Sequence, residues 1–141
     1  MTEKQIILIK KSWKMFRGID PKIVGDAFYT KLFHENPELR RMFPKNMEEQ
    51  YKKLIDMLST IVSRLDTLDV IGADIAAMAR RHTSYGVKTF HYKLVGDALL
   101  WTLQQGLGKD WNEETEQAWQ SCYQTLANLM IENSEPKEVR N

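Results

Sequence analysis

The side chains best suited to chemistry in this 141-residue chain are three histidines and a single cysteine. In the stretch MARRHTSYGVKTFHYKLVGDALL, His82 continues the line of Ile71, Ile75 and Met78, since helical neighbours recur at three and four residues. Arg80 and Arg81 fall off that line, where charge belongs. A buried imidazole costs free energy unless its two nitrogens find partners. Three readings of His82 compete: a core histidine bonded to a nearby carbonyl, a half-exposed histidine favoured at a helix C-terminus, and an axial metal ligand.

The other candidates narrow which metal that could be. A structural zinc site needs about four nitrogen or sulfur ligands, and three histidines with one cysteine do not form such a cluster here. His34, in LFHENP, follows an apolar stripe and reads as solvated. His91 precedes Tyr92 at the start of a helix and reads as polar trim rather than a ligand. A porphyrin brings four nitrogens of its own and asks the protein for one histidine, so the ligand reading of His82 is compatible with haem. Cys122 has Trp119, Leu126 and Leu129 at helical spacing and reads as a small core residue. A lone cysteine excludes an internal disulfide framework and suits a reducing cytosol.

Helical spacing recurs along the whole chain, and strand-like alternation is missing over any useful length. Thr2 and Gln5 have the chemistry of a capping box ahead of the stripe Ile6, Ile9, Trp13 and Phe16, which Gly18 ends. Asp20-Pro21 reads as a cap with proline in the first turn, opening a helix that carries Val24, Phe28 and Leu32 with Gly25, Tyr29 and Phe33 alongside. Pro37 and Pro44 bracket a short connector. Further helices are expected from about Met47 through Leu65, from about Asp69 to Gly86, from about Thr89 to Leu107, and from Asn112 onward. The expectation is an all-α fold of six main helices plus a short connector, a domain over 1–133 and a polar tail over 134–141. Twenty basic and nineteen acidic residues leave a formal charge of +1. That balance provides no electrostatic footprint for nucleic acid. The N-terminus MTEKQIILIKKSW is neither a signal peptide nor long enough to span a bilayer, so a cytoplasmic protein with no membrane partner is expected.

Two motifs carry a resemblance to a known family. HTSYGVKTFHYKLVGDALL resembles the globin segment that runs from the proximal haem histidine through a loop into the next helix. FYTKLFHENPELRRMF matches the family's FYxxLFxxxPExxxxF pattern, whose last phenylalanine stacks on the porphyrin. Tyr29, Phe43, Gln50, Leu54 and His82 follow one another at globin intervals, and the resemblance runs from about residue 3 to residue 131. It is similar above all to bacterial single-domain haemoglobins and the haem domains of flavohaemoglobins, and more loosely to neuroglobin.

The resemblance implies a globin fold around haem b, with His82 as the ligand to iron. Phe43 would pack on the haem face, Val87, Tyr92 and Val95 would line the proximal pocket, and Leu54 would cover the distal face. Lys53 and Arg81 would partner the propionates. Gln50 replaces the usual distal histidine and, with Tyr29, would donate hydrogen bonds to a bound gas. From the residues alone, Tyr29 fills the core and Gln50 is a solvated residue at a helix start. The implied function is reversible, high-affinity binding of dioxygen, with nitric oxide and carbon monoxide as further ligands.

The alternative is an enzyme, a nitric oxide dioxygenase, which would need a separate reductase because no reductase domain follows before Asn141. In flavohaemoglobins a glutamate of the last helix and a tyrosine tie the proximal histidine. Tyr92 fits the tyrosine, but counting from Trp119 the glutamate position is Ser134, with Glu132 and Glu135 to either side. Without that acid His82 would lean on a backbone carbonyl, which disfavours peroxidase-like oxygen activation. A haem-free helical sensor of globin shape is the third reading, and it expects no Soret band.

Overall fold

Capping chemistry sets where the helices begin. Thr2 Oγ accepts from Gln5 N–H while the Gln5 side chain accepts from Thr2 N–H, both at 3.1 Å, so the expected capping box opens α1 (Glu3–Phe16). Asp20 accepts from Lys22 N–H at 2.9 Å and Pro21 starts α2 (Pro21–Glu35). A 3₁₀ segment over Pro37–Met42 forms the connector between the two prolines. It leads into α3 (Glu48–Ser63), α4 (Gly72–Ser84), α5 (His91–Leu107) and α6 (Glu113–Ser134), the last capped by Asn112 accepting from Thr115 N–H. The computed structural model describes residues 1–67 and 72–134. No strand occurs among them, and no helix there is long and apolar enough to cross a membrane.

Three boundaries differ from the periodic reading. Leu65 lies in a separate 3₁₀ turn, because α3 stops at Ser63. The fifth helix starts at His91 rather than Thr89. Lys88 N–H donates to His91 Nδ1 at 2.8 Å while His91 N–H donates back to Lys88 O, a closed turn that delays the start of the helix. His91 is buried and ties the turn ahead of α5, so it is not polar trim. Helix α6 continues into Ser134. The expected start near Asp69, the stripe position Ile71, the tail beyond Ser134 and Glu135 lie outside the described residues.

The core is built on α1, α5 and α6. Trp13 and Trp119 pack with ring centroids 6.1 Å apart, and Trp119 Nε1–H donates to the buried Ser12 hydroxyl at 2.9 Å. Ile9, Phe16, Leu103 and Cys122 fill the space around them. Helix α2 lies on α3 and α5, and α4 lies on α6. Among the described residues, helices α3 and α4 make no substantial packing contact with each other. Helix α3 packs instead on α2 and α1.

Candidate functional site

The first group of candidate residues is set by a close crossing of α2 and α3. A Cβ built on Gly25 would stand 2.5 Å from Tyr51 Cβ, so only glycine lets α2 and α3 approach this closely. The approach brings Gln50 Nε2 within 3.2 Å of the Tyr29 hydroxyl, to which it donates. Gly25 is the functional residue sequence reasoning missed; its place four residues before Tyr29 on a buried stripe was the available signal. Tyr29 is 5% exposed, and burial pushes its hydroxyl up to about 12, against the smaller opposing effect of the Gln50 bond. The phenol is therefore neutral at physiological pH. Because its oxygen accepts from Gln50, its own proton is left to donate elsewhere.

Phe43 presses its ring against Tyr29 edge-on at 5.4 Å and also touches Phe33 at 5.4 Å. Leu54 follows Gln50 by one helical turn and is buried. The structure thus gathers Tyr29, Phe43, Gln50 and Leu54 on one side.

A second group of candidate residues lies at the end of α4 and the start of α5. His82 is half-buried and its Nδ1 lies 2.7 Å from Met78 O. A carbonyl only accepts, so Nδ1 carries a proton, and in the neutral ring the Nε2 lone pair is then free, the form that ligates metal. Backbone bonds stop the helix just beyond it. Val87 N–H donates to His82 O, Gly86 N–H donates to Thr83 O, and Gly86 takes φ +89°, together a Schellman cap. Val87 is thereby held over the last turn of α4 and is half-buried, as is Val95 on α5. Tyr92 is buried, and its hydroxyl has no hydrogen-bond partner among the described residues. The expected tie between Tyr92 and His82 is not made, since Met78 O takes the Nδ1 proton. Glu132 is exposed, whereas Lys53 and Arg81 are exposed and enter no ion pair among the described residues. His34 is exposed too.

Met42, at the end of the 3₁₀ connector, approaches the second group: its terminal methyl lies 3.9 Å from where a Cβ on Gly86 would stand. The chemistry of this donor set fits haem. It offers one imidazole nitrogen with its lone pair free, half-buried apolar side chains at Phe43, Met78, Val87 and Val95, an orphaned buried hydroxyl at Tyr92, and the exposed cations Lys53 and Arg81.

Comparison with known proteins gives the class. The globin family model matches residues 26–130. The chain is 27% identical over 135 residues to a flavohemoprotein of Vibrio cholerae, an alignment covering 94% of this chain and 34% of that protein. It spans about a third or less of the length of the first flavohemoproteins it matches. A bacterial globin of Campylobacter jejuni superposes with a TM-score of 0.82 at 26% identity, covering 94% of this chain and 96% of the other. An engineered carbene transferase from Rhodothermus marinus, described as a candidate nitric oxide dioxygenase, gives a TM-score of 0.84 at 28% identity, with 95% and 93% covered. The chain belongs to the globin family.

Proposed function

We propose that this globin holds haem b and binds dioxygen reversibly and tightly, with nitric oxide and carbon monoxide as further ligands. The observation that carries the reading is the Gln50-to-Tyr29 hydrogen bond, which leaves a neutral, buried O–H free to donate to a ligand. When bound, haem iron would supply a coordination site for a diatomic gas. His82 Nε2 would hold the iron, and its Nδ1–H bond to Met78 O fixes the ring's tautomer and orientation. Phe43, Leu54, Val87, Tyr92 and Val95 would surround the porphyrin with apolar surface, and Lys53 and Arg81 would meet its propionates. Tyr29 and Gln50 would stabilise the negative charge that a bound gas draws outward, slowing its release. Cys122, buried and pushed up to about 12 by that burial, takes no part and suits a cytoplasmic protein. The test is an absorption spectrum of the ferric, ferrous and carbonyl-bound forms; an absent Soret band after expression with ample haem would favour a haem-free interaction domain.

The similarity to flavohemoproteins supports a second reading, nitric oxide dioxygenation with a separate reductase. It requires more than one nitrate per haem when a reductase is supplied, and a yield that never exceeds one would remove it. The carbonyl partner of His82 is a weaker electron donor than a carboxylate, which disfavours peroxidase-like chemistry.

A further inference from the structure

Arg40 stands outside both sequence motifs' ligand positions, yet its guanidinium makes three hydrogen bonds beside Phe43. Its Nη1 donates to Phe43 O at 3.2 Å and to Pro44 O at 3.0 Å, and its Nη2 donates to Lys45 O at 3.1 Å. Three consecutive carbonyls, which no helix satisfies, are thus gathered by one planar guanidinium. The same group lies over the Phe33 ring, 5.6 Å from its centroid. Phe33, Phe43 and Tyr29 form a closed triangle of rings, with centroids 5.4 to 5.8 Å apart. One side of the clamp therefore holds the backbone of Phe43, and the other rests on α2 four residues beyond Tyr29.

We propose that Arg40 is a positioning residue for gas binding: by fixing the turn over residues 43–45 against Phe33, it sets the Phe43 ring on Tyr29 and so aims the Tyr29 hydroxyl. This rests on the haem reading above. Arginine is needed because its rigid fork reaches several acceptors while its flat face covers an aromatic ring. A lysine presents a single point charge and cannot do both.

The experiment compares full-length wild type with R40L and R40K, each loaded with haem. Expected for R40L are an unchanged Soret band per protein, oxygen release about fivefold faster, and a shifted infrared band of bound carbon monoxide. In the haem-free chain, amide hydrogen exchange should accelerate at residues 43–47. R40K keeps the charge but not the fork, so its release should be at least twofold faster than wild type. Either variant, coloured like wild type but unchanged in release rate and infrared band, overturns the proposal even if its melting temperature falls, because Arg40 would then be structural only. Should R40L fail to fold, R40K decides between the two outcomes by the same release rate and infrared band. A wild type that takes up no haem overturns the haem reading and this inference together, an outcome distinct from a coloured protein whose variants release oxygen normally.

Discussion

The Tyr29 hydroxyl accepts from Gln50 Nε2 at 3.2 Å, and the direction of that bond decides what the tyrosine can do. With one lone pair occupied, the phenol keeps its proton for a third partner. A reversed bond would spend that proton on the glutamine. In the proposed reading Gln50 would therefore orient the hydroxyl and Tyr29 would donate to the bound gas.

Tyr29→Phe removes the donor but keeps the ring that packs on Phe43. Haem uptake should be unchanged and oxygen release roughly fivefold faster, equivalent to about 1 kcal/mol for one hydrogen bond. Stopped-flow displacement of oxygen checks this, and an unaltered rate would remove the distal role of Tyr29.

His82→Ala deletes the imidazole nitrogen left free at the end of α4. The variant should lose the Soret band or hold haem loosely, and added imidazole should restore the band. Glu132→Gln is the matching control, since Glu132 is exposed and the His82 Nδ1 proton goes to Met78 O. The iron–histidine stretch in a Raman spectrum should stay where it is in wild type. A displaced stretch would show that the acid reaches the imidazole.

Gly25→Ala places a Cβ 2.5 Å from Tyr51 Cβ, an atom close to the backbone, so α2 and α3 must separate. Overpacking of this kind costs about 1–3 kcal/mol. Separation should also lengthen the Tyr29–Gln50 bond, so urea unfolding and oxygen release are both expected to change. A variant as stable as wild type would show that the crossing tolerates the extra methyl.

Alkaline pH should unfold the chain through its buried acids. Tyr29 has its hydroxyl raised from 10.0 to about 12, and Cys122 its thiol raised from 9.0 to about 12, both first by burial. In each case the folded chain holds the proton more tightly than the unfolded one. The stability is complete below pH 9 and is lost progressively as pH rises from 9 through 12. Urea midpoints measured from about pH 8 to 11 should fall, and Cys122→Ala should flatten the part of the decline that begins near pH 9. Identical slopes for wild type and variant would show that the thiol does not contribute.

Local chemistry determined most of the fold before any tertiary contact was considered. The reciprocal bonds of Thr2 and Gln5, the Asp20-Pro21 start and the positive φ of Gly86 depend only on residues within a few positions, and stripes such as Val24, Phe28 and Leu32 fix which side each helix buries. The carbonyl partner of His82 belongs here as well, because it lies four residues back on the same helix. Other features could not be read that way. Gln50 donates to a tyrosine 21 residues earlier only because Gly25 permits the crossing of α2 and α3. His91 became a buried acceptor for Lys88 N–H in the turn that follows Gly86, and Arg40 acquired three acceptors when the chain folded back at Pro44. Spacing within a helix obeys a fixed rise and turn, whereas contacts between helices depend on how closely two surfaces approach, and that is decided by the packing of the whole chain.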